Sequence, residues 1–181
     1  MRQPLTADRL AALMKALAAP ARTSSRIYLV GGASAVLLGW RAATIDVDLK
    51  IIPESDEILR RLPLLKEELH VNIELASPDD FIPELPGWQE RSQFIRQEGK
   101  LSFYHYDFYG QALAKIERRH EIDRQDVDQL IESGLVAPDR LWELFGRIEG
   151  ELYRYPAVNP ARFRSAVAQV VRNAKAKLAS N

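Results

Sequence analysis

The sequence predicts an α/β (α+β) fold, in which a small mixed sheet with helices against it spans about residues 26–109 and a helical C-terminal region follows. Three observations predict it. Two apolar runs of strand length, 26–30 and 45–51, flank a short helix-permissive stretch. A further alternating segment, His70–Ala76, follows a helical one. From Gln111 onward, apolar residues recur only at helical intervals. The chain accordingly divides into an α/β core, 1–110, and a helical region, 111–181, packed on that core.

Taken in order, Thr6 is a cap for a helix through Ala18, with Leu10, Leu13, Met14 and Leu17 on one stripe and Pro20 ending it. Arg26-Ile-Tyr-Leu-Val30 reads as a strand, stopped by Gly31-Gly32 where the backbone must turn tightly or approach a ligand. Ala33–Leu38 is helix-permissive and Gly39 closes it. The next strand alternates strictly, which sends Ile45, Val47, Leu49 and Ile51 to the core and Asp46 and Asp48 together to the other face. Two strand rises separate the Cα atoms of those acids by roughly 6.6 Å. Pro53 and Ser55 open a helical stretch to about Leu69, and Pro63 inside it predicts a kink or two short helices. In the following strand Val71, Ile73 and Leu75 face one way, Asn72 and Glu74 the other.

Residues 77–99 read as a long irregular connection, pinned by Phe81, Ile82, Leu85 and Trp88. Leu101–Tyr106 is again a strand. Ala112, Leu113, Ile116, Ile122, Val127, Leu130 and Ile131 then mark two helices punctuated by Gly134. Pro138-Asp139 opens a helix carrying Leu141, Trp142, Leu144, Phe145 and Ile148. Asn159-Pro160 is a cap and first-turn pair for the last helix. Its face of Arg162, Arg164, Arg172, Lys175 and Lys177 reads as solvated surface, with contact to RNA phosphates or an acidic partner as the alternative.

The chemistry concentrates at 31–48. Two carboxylates side by side repel each other unless a cation neutralises the pair. A hard divalent ion held by one or two carboxylates, with water and substrate phosphate completing its shell, is the usual Mg²⁺ arrangement. Gly31-Gly32-Ala33-Ser34 supplies backbone N–H groups at a helix start, and a hydroxyl, for phosphate. Together these read as a metal-plus-triphosphate site. The competing reading is a surface strand with two solvated acids after an ordinary turn.

Gly31-Gly32-Ala33-Ser34, the spacer to Ile45, and Asp46-Val-Asp48-Leu resemble the signature of the DNA polymerase β-type nucleotidyltransferase superfamily. Gly39-Trp-Arg41 and Thr44 are similar to the small prokaryotic nucleotidyltransferases related to abortive-infection and toxin–antitoxin toxins. The resemblance implies a polymerase β-like core that uses Mg²⁺ (or Mn²⁺) to move a nucleoside monophosphate from an NTP to an acceptor hydroxyl. It implies a third carboxylate on a neighbouring strand, which binds metal with Asp46 and Asp48 or acts as base. Glu74 has the matching parity, although aspartate is more usual there, and Asp79, Asp80 and Asp107 are substitutes. It also implies that Lys115, followed by Asp123 and Asp126, reaches the nucleotide phosphates; the alternative is a solvated pair of Lys115 and Arg119, and Asp123 and Asp126 read rather as a cap or salt bridge for the next helix. Arg41 and Thr44 are further candidates for the triphosphate. The acceptor implied is RNA, a protein or a small molecule, with a cognate antitoxin as a partner. The alternative is a catalytically inactive nucleotide- or partner-binding module on the same fold.

Composition sets the limits. The 181 residues hold no cysteine, which excludes disulfide scaffolds and thiolate zinc sites and suits a reducing cytoplasm. Twenty-five basic and 25 acidic residues cancel, so a polyanion must meet a local patch. No apolar run reaches about 18 residues and the first residues lack an apolar leader, so a cytoplasmic, non-membrane protein is expected. The three histidines lack metal-ligand spacing, and neither a P-loop nor a Gly-x-Ser-x-Gly elbow is present.

Overall fold

Residues 3–180 are described by the computed structural model. Among them a five-stranded mixed sheet and eight α-helices form two compact units, one of residues 3–77 and 92–106, the other of 78–91 and 107–180.

The first unit is built on the sheet. Its strands are β1 (Ser25–Val30), β2 (Asp46–Ile52), β3 (Asn72–Leu75), β4 (Gln93–Glu98) and β5 (Leu101–His105), in the order β3-β2-β1-β5-β4. β1 runs antiparallel to β2 and parallel to β5; β2 and β3 are parallel; β4 and β5 form a hairpin. The helices are α1 (Ala7–Ala18), α2 (Gly32–Leu37) and α3 (Asp56–Leu69). Thr6 caps α1, its hydroxyl accepting from the Arg9 N–H. Leu10, Leu13, Met14 and Leu17 of α1 and Ile58, Leu62 and Leu65 of α3 share one core with Ile27, Leu29, Val47, Leu49, Ile51, Leu101 and Phe103. The alternation of β2 is thereby explained, because its odd-numbered side chains are sealed under α1 and α3 and its even-numbered ones emerge on the opposite face.

Several expectations are corrected here. Ile45 and Leu75 are each 52% exposed, because each lies at a strand end beyond the helical cover. Pro63 neither divides α3 nor ends it: the helix is one element, and the buried row of Ile58, Leu62 and Leu65 on the shared core outweighs the hydrogen bond that proline omits. The connection at 77–99 contains β4 and the short helix α4 (Trp88–Arg91), which belongs to the second unit. β4 is an edge strand, largely exposed and interrupted by a register shift between Phe94 and Arg96, so it carries no period-two signal. Its hairpin turns through Gly99 at φ +53°, with Glu98 opposite Leu101.

The second unit comprises α4, α5 (Phe108–Arg118), α6 (Glu121–Glu132), α7 (Pro138–Ile148) and α8 (Pro160–Ala179). α5 begins three residues ahead of the predicted start because Asp107 caps it, accepting from the Tyr109 N–H. Leu141, Leu144, Phe145 and Ile148 of α7 are buried with Phe163, Val167 and Val171 of α8, and the Phe145 and Phe163 rings meet edge-on at 5.0 Å. Ile122, expected in the apolar set, is 55% exposed near the start of α6. On α8, Arg164 pairs with Glu149, Lys175 with Asp139 and Lys177 with Glu132, so much of its basic face is matched by acids of the same unit. No helix among the described residues is long and apolar enough to cross a membrane.

Candidate active site

Pairing registers place the acids. Asp46 and Asp48 leave β2 on the face away from the helical core, both half-buried. On β3, Asn72 lies opposite Asp46 and Glu74 opposite Asp48; on β1, Val30 lies opposite Asp48. The glycine turn that follows Val30 therefore sits beside Asp48. A Cβ built on Gly31 would come 3.7 Å from Asp48 Oδ2, and Gly31 itself has φ +60° and ψ −123°, a conformation that side chains other than hydrogen resist. The predicted association of paired acids with a double-glycine bend is thus a feature of the fold.

Thr44, a candidate for the triphosphate, sits against the glycine turn with its hydroxyl engaged by β2. Its hydroxyl donates to the Asp46 carbonyl at 3.0 Å and accepts from the Asp46 N–H at 3.3 Å. A Cβ on Gly32 would fall 2.4 Å from Thr44 Oγ1. Gly32 therefore lets Thr44 dock the start of β2 against the glycine turn. Arg41 is half-buried on the same α2–β2 connection.

Ser34 is 3% exposed, and its hydroxyl donates to the Leu29 carbonyl at 3.1 Å. Its Oγ also lies 2.9 Å from His105 Nδ1, so one buried hydroxyl links the Leu29 carbonyl to the imidazole. Burial lowers the His105 pKa to about 4 and keeps the ring neutral. Ser34 and His105 join α2 to β1 and β5 through the interior.

Glu74 is exposed beside Asp48, and its Oε1 accepts from the Asn72 side-chain amide at 2.7 Å. The same Nδ2 donates to Asp46 Oδ1 at 2.9 Å. Sequence reasoning placed Asn72 on this face but assigned it nothing; the signal was a neutral amide at the parity of three acids. Among the described residues no three His, Asp or Glu side chains converge into a group that would hold a metal ion by themselves. The donor set suits a divalent ion gripped by two carboxylates and completed by phosphate and water, which is how Mg²⁺ is ordinarily held.

The substitute acids and Lys115 belong to the second unit. Asp79 and Asp80 lie in the short 3₁₀ turn Pro78–Asp80. Asp107 is 1% exposed and is gripped by Arg91, whose Nη2 and Nε lie 2.7 and 3.2 Å from its two oxygens. Lys115 is 8% exposed, and its ammonium donates to Asp123 Oδ1 at 3.0 Å and Asp126 Oδ2 at 2.7 Å. Arg118 adds a bond to Asp123 at 3.1 Å. The lysine and the Asp-x-x-Asp pair that the sequence set side by side are therefore in direct contact, as a buried ionic cluster.

A family model described as nucleotidyltransferase of unknown function (DUF6036) matches residues 8–168. The chain belongs to this nucleotidyltransferase family. The match takes in the glycine turn, Asp46, Asp48, Asn72, Glu74 and the Lys115 cluster, so it covers residues of both units and ends within α8. No curated protein and no solved structure matches the chain.

Proposed function

We propose that this nucleotidyltransferase is a Mg²⁺-dependent enzyme that transfers a nucleoside monophosphate from an NTP to an acceptor hydroxyl on RNA, a protein or a small molecule. The observation that supports this reading most is Asp48 lying against the Gly31 turn, with Asp46 two residues away on the same face. Asp46 and Asp48 are the residues that hold the cation. When bound, Mg²⁺ (or Mn²⁺) supplies charge neutralisation to the triphosphate and acidifies the attacking hydroxyl.

The chain's own contribution is positioning and electrostatics, as is general in phosphoryl-type transfer. Gly31 and Gly32 bring bare backbone to the phosphates, and Arg41, on the connection between α2 and β2, is a cation assigned to meet them. The acceptor oxygen attacks the α-phosphorus, the bond to the β-phosphate oxygen breaks, and pyrophosphate leaves. Glu74, exposed beside Asp48, takes the acceptor proton. Thr44 and Ser34 act through architecture, by fixing β2 and α2. Lys115 is left out of the phosphate grip, since a nucleotide would have to compete with Asp123 and Asp126 for its ammonium. A toxin paired with an antitoxin is the cellular setting we attach to an RNA or protein acceptor in the cytoplasm.

One observation favours a second reading. Glu74 is held through Asn72, and among the described residues it does not complete a three-carboxylate group for a metal ion, as expected of a nucleotide- or partner-binding module that has lost its chemistry. Incubation with each labelled NTP, Mg²⁺ or Mn²⁺ and total RNA separates the two. Label on an acceptor, abolished by Asp48→Ala, supports the enzyme; metal-dependent NTP binding with no labelled acceptor supports the module.

A further inference from the structure

We infer that Asn72 is the positioning residue of this site: one side-chain amide holds Asp46 and Glu74 and so sets the carboxylate that receives the cation. The inference rests on the reading of Asp46 and Asp48 as the cation's ligands. Asn72 is 8% exposed, and both of its contacts, 2.9 Å to Asp46 Oδ1 and 2.7 Å to Glu74 Oε1, come from Nδ2.

Chemistry fixes the orientation of that amide. Turned over, it would aim a carbonyl oxygen at two carboxylate oxygens, which accept and cannot donate. With Nδ2 inward, its two protons meet the two anions in charge-assisted bonds. Three acids, Asp46, Asp48 and Glu74, share adjacent strands on one face, and neighbouring like charges are destabilising there. Asn72 is the neutral fourth member of that square. It draws Asp46 and Glu74 toward one donor and offsets their repulsion without adding charge. Because it engages only Oδ1 of Asp46, it fixes the rotamer and directs Oδ2 for coordination. This explains why an amide, and not a fourth acid or an apolar residue, faces Asp46 across the ladder. Partners that orient ligands in this way typically change metal affinity 10–100-fold when removed.

The test uses the full chain and Mn²⁺ as probe, with affinity read from the free-Mn²⁺ EPR signal. Asn72→Leu, near-isosteric and lacking the amide, is compared with Gln97→Leu, which removes an exposed amide from β4, and with Asp48→Asn. The expected result is a loss of affinity of about 10-fold or more for Asn72→Leu, near-abolition for Asp48→Asn and no change for Gln97→Leu. Wild-type affinity in Asn72→Leu, with Asp48→Asn still disabling, overturns the positioning role and leaves the cation site standing. No Mn²⁺ binding that depends on Asp48 overturns both.

A second readout needs neither variant nor metal. The Asn72 side-chain amide protons should exchange with solvent at least 10-fold more slowly than those of Gln97 in the wild-type protein. Equal exchange rates refute the bridge directly.

Discussion

At the scale of single residues, the pair Ser34–His105 converts burial into a pH dependence. The folded protein holds His105 neutral with its pKa lowered from 6.5 to about 4, so the unfolded chain takes up a proton first as the pH falls. The stabilisation is complete above pH 6.5 and is lost progressively between 6.5 and about 4. At about 1.4 kcal/mol per pKa unit it amounts to about 3 kcal/mol. Urea unfolding across that window should show the loss, and His105→Gln, which does not titrate, should flatten it. An equal slope in both proteins would assign the dependence to other groups. Gly32 gives a second prediction. Gly32→Ala would press a methyl against Thr44 Oγ1 and should cost about 1–3 kcal/mol. Thr44→Ala removes the obstructing hydroxyl, so the double variant should be less destabilised than the sum of the singles. Strict additivity in denaturant melts would contradict the docking described for these two residues.

Elements differ in how well the sequence announced them. β2 was legible to the side chain, because a half-covered strand imposes period two and its acids have no alternative but the open face. β4 was hidden, since an edge strand that sends only the partly buried Ile95 against the core and shifts in register leaves no pattern; Gly99 at its turn was the available clue. Pro63 misled through a local rule that burial of one helix face overrode. Thr44 and Ser34 were read as phosphate contacts because hydroxyls near a glycine turn fit that role, whereas their hydrogen bonds run to backbone and to His105. The α5–α6 pairing carries a prediction of its own. Lys115→Met would take the buried ammonium away from Asp126 and leave Asp123 with Arg118, and should destabilise by about 3–5 kcal/mol, read by urea unfolding. A change below about 0.5 kcal/mol, the range of an ordinary surface substitution, would free Lys115 for a role with ligands.

For the whole molecule, the family match supplies what separate residues do not, that one nucleotidyltransferase family model spans residues of both compact units. The sheet unit carries the acids, the glycine turn and Asn72; the helical unit carries the ionic cluster and an α8 whose cations are largely matched by acids. An overall balance of 25 basic and 25 acidic residues gives no general attraction for polyanions. Acceptor recognition therefore rests on local surface, and its class is the part of the function that composition left illegible. The central claim is transfer of the nucleotidyl group, and the position of the label tests it most directly. Parallel reactions with α-³²P- and γ-³²P-labelled NTP should mark the acceptor from the α position alone, release the γ label in pyrophosphate, and fall silent in Asp48→Ala. Marking from the γ position, or undiminished α transfer in that variant, would contradict the account.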